Sequence, residues 1–365
     1  MQESTHIGLD VHKETIAVAV LRPGTGECEE RVIANTPEAL RRLFARFPDR
    51  ASLRACYEAG PTGYDTWRLL SALGVPCEVV APSLIPRRSG AHVKTDRTDA
   101  RGLARLQRAG ELTAVRVPSP SEEALRDLVR AREDLKSDRR IAQQRVRSFL
   151  LRYGKRYPTG SGRWGVRYEL WLQALTFEEP VAQAAFDHLM SAASVRGAQL
   201  QAIEREIEAA ATGGPLAGPV ARLRAFRGID TLTALTIVSE TCDFRRFPTA
   251  ASYMAFTGLV PREHSSGAVR RQGSITKAGN AHVRRVLVEA AWAYRHRPAV
   301  RGKLAQRQEG LPPELLAYSW KAQTRLHATY RKLAARRGAN KAAVAVAREL
   351  SGFVWGAMTG RTGAS

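Results

Sequence analysis

Apolar residues alternate with polar or small ones from His6 to Asp10. Ile7, Leu9 and Val11 fall on one side and Gly8 and Asp10 on the other, the two-residue repeat of a pleated strand. Residues 15–21 are apolar on both sides, as a covered strand is, and Pro23-Gly24-Thr25-Gly26 turns the chain into a third strand near residues 29–34. From Pro37 the repeat lengthens, with Leu40, Leu43, Phe44 and Phe47 at helical spacing. Residues 52–57 return to strand patterning and end on Glu58, just before the loop Ala59-Gly60-Pro61-Thr62-Gly63. A second helix is predicted over 64–73, a fifth strand over 76–81, and a helix opening at Asp96 and running through Leu103 and Leu106. The order βββαβαβα over residues 1–115 predicts a mixed α/β domain.

The pattern beyond it is helical. Ser119-Pro120-Ser121-Glu122 makes a capping box with proline at the first helical position. Leu125, Leu128, Leu135, Ala142, Val146 and Phe149 continue the helix as an apolar seam that Arg132 and Arg139 interrupt. Such a helix pairs with a partner subunit or packs on its own domain, and a second helix over 182–211, with Leu189, Leu200, Ile203 and Ile207, is its potential mate. Residues 116–215 thus form a long-helix, coiled-coil connector that Gly213-Gly214-Pro215 ends. Residues 216–356, with helices over 281–294, 315–335 and 341–353, are predicted to be an all-α domain, and 357–365 a flexible tail. Within the connector, Gly160-Ser161-Gly162-Arg163-Trp164-Gly165 spells GxGxxG, but it follows no strand and reads as a loop. Trp164, Tyr168 and Trp171 beside it suit an aromatic core, with stacking on RNA bases as the alternative. Arg224 to Asp230, followed by Leu232, Ala234, Leu235 and Ile237, resembles one helix-hairpin-helix, in which Arg227 and Gly228 would sit where backbone amides meet a phosphate. Plain helix-turn packing fits the same residues.

Four acids now stand out: Asp10 and Glu58 at strand ends, and Asp96 and Asp99 in Lys94-Thr95-Asp96-Arg97-Thr98-Asp99-Ala100. Residues three apart share a helix face, so Asp96 and Asp99 can reach one point. Converging carboxylates repel unless one or two Mg²⁺ ions, or Mn²⁺, neutralise them and polarise a phosphodiester; the bland alternative is four separately solvated acids. The chain carries 57 Lys and Arg against 35 Asp and Glu, a net +22 with pI ≈ 10.7, which points to nucleic acid as partner. The preference for arginine suits bidentate phosphate contacts or merely reflects a GC-rich coding sequence. The basic residues recur in separated runs, among them 139–147, 152–156, 262–271 and 295–303. Four cysteines with no CxxC pair, and no signal peptide, predict reduced thiols in a cytoplasmic protein. His264, His282, His296 and His327 lie among basic residues and suit phosphate contact or surface placement better than metal ligation. No apolar run is long enough to cross a membrane.

The motifs Ile7-Gly8-Leu9-Asp10, Tyr57-Glu58-Ala59-Gly60 and Lys94 to Ala100 resemble those of the DEDD insertion-sequence transposases, which are bridge-RNA-guided recombinases. A second signature of that family resembles Tyr253 to Gly267 followed by Gly273-Ser274-Ile275-Thr276-Lys277-Ala278-Gly279-Asn280 and a basic helix. The resemblance implies a RuvC-like domain of ribonuclease-H fold and a transposase domain with a nucleophilic serine. In the family's signature that serine precedes a glycine, which places it at Ser266, with Ser265 the nearest rival. It also implies Mg²⁺ on Asp10, Glu58, Asp96 and Asp99, and a covalent 5′-phosphoserine link. Further implications are donor and target double-stranded DNA, a non-coding bridge RNA, and a homo-oligomer, dimer or tetramer, with composite sites in the bacterial cytoplasm, associated with the nucleoid. Arg262, Arg270, Arg271, Lys277, Arg284 and Arg285, with Arg227 and Gly228, are the candidate nucleic-acid contacts. Two rivals remain: a RuvC-like Holliday-junction endonuclease using metal-activated water, and a non-catalytic DNA- or RNA-binding protein.

Overall fold

A computed structural model describes residues 4–24, 26–82, 85–86, 96–158, 162–263 and 272–362. The chain divides into two compact units, Met1–Pro118 and Ser119–Ser365.

In the first unit β1 (Thr5–Val11), β2 (Thr15–Leu21) and β3 (Cys28–Ala34) form an antiparallel meander. Then follow α1 (Pro37–Phe44), β4 (Leu53–Glu58), α2 (Asp65–Ala72), β5 (Cys77–Val80) and α3 (Asp96–Arg108), the predicted βββαβαβα order. What the alternation could not predict is the sheet order β3-β2-β1-β4-β5, in which β4 and β5 run parallel to β1. Thr36 caps α1 by accepting from Ala39 N–H at 3.2 Å, with Pro37 in the first turn. The two sheet faces are sorted by residue size. Ile7, Leu9, Leu53, Ala55 and Tyr57 pack with Leu40, Phe44 and Leu70 of α1 and α2, whereas small Ala17 and Ala19 meet Ala100 of α3 on the opposite face.

Gly8 makes that second face work. A Cβ on it would lie 2.0 Å from the Ala100 carbonyl oxygen and 2.7 Å from Ala104 N, so α3 rests on the bare β1 backbone. Gln107 fastens the far end of α3, donating to the Ala55 carbonyl at 3.0 Å and to Glu78 at 3.1 Å. Arg101 pairs with Glu30 of β3.

The second unit begins with α4 (Pro120–Arg152), whose capping box of Ser119 and Glu122 forms as predicted. After α5 (Val166–Gln173) comes α6 (Pro180–Thr212). Helices α4 and α6 have 33 residues each, about 50 Å at 1.5 Å per residue. They run antiparallel: Arg132 meets Glu204, Asp138 meets Arg196 and Phe149 stacks on Phe186, so one number falls as the other rises. The arginines in the seam are accommodated rather than disruptive. Arg132 is buried with its Nε 2.9 Å from Glu204, and Gly197 leaves room for the Arg139 side chain. Tyr157, Trp164, Tyr168 and Trp171 pack edge-on and tilted against one another beside Phe149 and Phe186. They are therefore an aromatic core, and base stacking by these rings is set aside.

The remaining elements are α7 (Ala217–Arg224), α8 (Thr231–Thr241), α9 (Ala250–Phe256), β6 (Pro261–Glu263), β7 (Gln272–Ile275), α10 (Ala281–Ala291), α11 (Lys303–Gln308), α12 (Pro313–Arg337) and α13 (Ala339–Thr359). They enclose one core in which α13 is almost wholly buried from Ala342 to Ala357. The expectation of an all-α region needs one correction, because β6 and β7 pair as an antiparallel ribbon. Strands of three and four residues are too short for a two-residue repeat to register.

The seat of α3 sets a prediction. Gly8→Ala is expected to destabilise the first unit by roughly 1–3 kcal/mol in urea denaturation. Gly102→Ala on the same helix, where an added Cβ meets nothing within 4 Å, is expected to be neutral or stabilising by up to about 1 kcal/mol.

Candidate active site

The strand register brings two of the four acids together. β1 and β4 pair with a constant offset from Thr5↔Leu53 to Leu9↔Tyr57, and the same offset carried one residue further sets Asp10 beside Glu58. Asp10 lies on the Gly8 face of β1, and Glu58 on the Cys56 face of β4, which packs against Leu103 of α3. Both acids therefore face the side that α3 covers. The contact of Gly8 with Ala100 brings the N-terminal end of α3 onto the same side, with half-buried Asp99 immediately before Ala100. Asp96 opens that helix, one turn earlier; its side chain lies outside the described residues.

Three carboxylates thus gather at one end of one sheet face, where parallel β1 and β4 both terminate. Asp10 also takes a hydrogen bond at 3.2 Å with His12 Nε2. The donors are hard carboxylate oxygens, which suit Mg²⁺ or Mn²⁺ rather than zinc. Among the described residues no three His, Cys, Asp or Glu side chains are already closed around one point. The group suits a divalent ion in donor type, and the strand register and the seat of α3 put its members on one sheet face.

Ser265, Ser266, Arg270 and Arg271 lie outside the described residues, as does His264. The described parts of that region form a locked base. Gly258 has φ +66° and Gly279 φ +110°, and a Cβ on either would lie within 2.5 Å of a backbone oxygen, Ala278 O or Phe256 O respectively. The loop after α9 and the loop before α10 consequently interlock backbone to backbone, with Lys277 N–H donating to Gly258 O at 3.0 Å and Asn280 N–H to Phe256 O at 2.8 Å. Lys277 is held at φ +55°, left-handed despite its side chain.

The basic candidates divide into two groups. Arg262 and Lys277 are exposed. The other described ones are engaged within the unit. Arg227 donates to Arg297 O at 2.6 Å, Arg284 to Thr257 O at 3.0 Å, and Arg285 lies between Glu133 and Glu289. Burial lowers the Arg284 pKa. Gly228, at φ +83°, presses on the Ala290 carbonyl of α10, 2.3 Å from an added Cβ, so helix packing alone accounts for that glycine. His282 bonds Glu133 at 2.8 Å and His327 the Tyr294 carbonyl at 3.0 Å.

Glu240 belongs to no motif and shares no spacing with the other acids. Its side chain is 1% exposed and accepts two bonds from Arg130 of α4, at 2.8 and 3.1 Å. It also accepts one from Asn280 Nδ2 at 2.7 Å, while Asn280 caps α10 through Val283 N–H at 2.9 Å. One carboxylate thereby joins α4, α8 and the locked base of the β6–β7 ribbon. The available signal was a lone acid in the apolar run of α8, since a buried charge requires a partner.

Among the described residues no helix is long and apolar enough to cross a membrane. Residues 220–305 match the model of the transposase IS116/IS110/IS902 family, and residues 7–155 match a DEDD transposase model of IS110 type. The chain is 43% identical over 356 residues to the putative transposase y4qE of Sinorhizobium fredii, covering 96% of this chain and 87% of that protein. It is 33% identical over 346 residues to the transposase for insertion sequence element IS1533 of Leptospira borgpetersenii, covering 92% and 99%. A third relative, the transposase for insertion sequence element IS1111A of Coxiella burnetii, is 25% identical over 300 residues, covering 81% and 75%.

Burial alone raises the Glu240 pKa, but the Arg130 and Asn280 hydrogen bonds and the Arg130 and Arg126 charges outweigh it and hold the pKa below the ordinary 4.5. The stability that this ion cluster contributes is complete above the unfolded-state value and is lost as pH falls through the lower folded value. Glu240→Gln removes the buried carboxylate that half-exposed Arg130 and Asn280 bond and is expected to cost roughly 1–3 kcal/mol at pH 7. In denaturation run from pH 7 down to pH 3, the difference from wild type should shrink.

Proposed function

The chain belongs to the IS110/IS116 family of DEDD transposases, and from that footing we propose that it cuts and rejoins donor and target DNA through a covalent bond between Ser266 and the scissile phosphate. The observation that carries this reading is the gathering of Asp10, Glu58 and Asp99 at one end of one sheet face. A meander followed by parallel strands, with α3 laid over β1, supports a ribonuclease-H-like, RuvC-like first domain.

A divalent metal, Mg²⁺ or Mn²⁺, held by Asp10, Glu58, Asp96 and Asp99 would supply charge stabilisation to the phosphoryl oxygens. The acids themselves orient and are neutralised there. The serine Oγ forms a new O–P bond as the P–O3′ bond breaks, its proton passes to a base or to water, and the departing 3′ oxygen takes up a proton. The DNA is then held as a 5′-phosphoserine. A 3′-hydroxyl from the other DNA attacks that linkage, forms the new phosphodiester and returns the serine. Exposed Arg262 on β6 and Lys277 just after β7 suit phosphate contact. A net charge of +22 supports long nucleic-acid tracks. In this reading a bridge RNA chooses the target by base pairing, and the enzyme acts as a homo-oligomer with composite sites, its serine and acids supplied by different copies.

The test incubates the full chain with Mg²⁺, junction DNA and RNA transcribed from the element's flank. Wild type and Ser265→Ala are expected to give a protein–DNA adduct and Ser266→Ala none, while Asp10→Ala slows adduct formation by roughly 10²–10³-fold or more. Normal cleavage by Ser266→Ala without any adduct would mean that water is the nucleophile, as in a junction endonuclease.

A further inference from the structure

From Arg139 to Tyr168 the chain carries nine lysines and arginines and no aspartate or glutamate. Five of the nine lie on the distal half of α4, where Arg140, Gln144, Arg145, Ser148 and Arg152 recur at turn-like spacing, a row of roughly 18 Å. They line an open groove of about 400 Å³ between α4 and α6, floored by Phe149 and Leu189. All five are exposed. Among the described residues none of the three arginines makes an ion pair, in contrast to Arg130 and Arg132 on the same helix, each matched to a glutamate. Ile141, 43% exposed, stands at the lip of the groove.

Arginines without carboxylates call for a polyanion. The apolar lining narrows the choice, because a duplex keeps its bases stacked and would touch only the rim, whereas a single strand can lay an unstacked base against Ile141 and Leu189, Phe149 itself being buried beneath Arg152. Gln144 and Ser148, one turn apart between the arginines, can donate to and accept from a ribose 2′-hydroxyl, which deoxyribose lacks. We propose that the α4–α6 groove binds a single-stranded segment of RNA, its phosphates on Arg140, Arg145 and Arg152. The proposal rests on the reading that the enzyme works with an RNA partner.

Binding of the full chain to single-stranded RNA, single-stranded DNA and duplex DNA of one sequence, followed by fluorescence anisotropy over a salt series, tests it. The Arg140→Gln/Arg145→Gln/Arg152→Gln variant is expected to lose roughly tenfold or more in RNA affinity, with a salt slope shallower by about 2, and to change duplex binding by less than about threefold. Gln144→Ala/Ser148→Ala is expected to weaken RNA but not single-stranded DNA. Unchanged RNA binding by the arginine variant would overturn the groove and leave the RNA reading standing. Failure of wild type to bind RNA would overturn both. Equal losses on duplex DNA would make the groove a duplex track, and equal losses by Gln144→Ala/Ser148→Ala on both single strands would remove the ribose contact; either outcome contradicts the proposal.

Discussion

The contact of bare β1 backbone at Gly8 with the Ala100 carbonyl is the constraint on which the first unit depends. A helix normally stands about 10 Å off a sheet on its side chains, but here Gly8, Ala17 and Ala19 leave a shallow shelf and Ala100 and Ala104 fill it. Close approach has a chemical consequence. Short acids on a strand and on a helix can serve one ion only if the two backbones are near, and with nothing larger than hydrogen between α3 and β1 at Gly8, the helix end that carries Asp99 lies on the sheet face of Asp10 and Glu58. The opposite face, with Ile7, Leu9, Tyr57 and Phe44, supplies the ordinary apolar core that holds the sheet rigid beneath the site.

The second unit solves a different problem, that of folding an arginine-rich chain without burying naked charge. Three of its buried or half-buried acids are matched to arginines from distant elements: Glu240 to Arg130, Glu204 to Arg132, Glu133 to Arg285. Breaking such a pair is costly because a charge is then left without its partner in a poor solvent. Glu240 is the most consequential, since Asn280 both binds it and caps α10, fixing one stalk of the ribbon. The interlocked glycines, Gly258 and Gly279, fix the other. The arginines of the α4 groove, by contrast, are exposed and make no ion pair among the described residues.

Much of the first unit was legible because its signals are local. The two-residue repeat of β1, the Pro37 start of α1 and the strand-end positions of Asp10 and Glu58 all depend on neighbours a few residues away, and the capping box at Ser119 is likewise local. Sheet order was not legible, because alternation says which face a residue takes and nothing about which strand lies beside it. The partners of Glu240 are 110 and 40 residues distant, beyond the reach of any spacing rule. Arg284 and Arg285 looked like phosphate contacts for the same reason; the Thr257 carbonyl and the Glu133 carboxylate that engage them lie outside α10. The four acids pointed to a metal through residue type and placement, and the assignment of Ser266 rests on motif resemblance alone.

The claim that Asp10, Glu58 and Asp99 serve one metal is tested most directly by Mn²⁺ titration of the full chain, followed by electron paramagnetic resonance. One or two ions should bind wild type, and Asp10→Asn, Glu58→Gln and Asp99→Asn should each weaken the same site by roughly tenfold or more. Wild-type binding retained by Glu58→Gln or Asp99→Asn would contradict the account, because the acids would then be neighbours on one sheet face without sharing an ion.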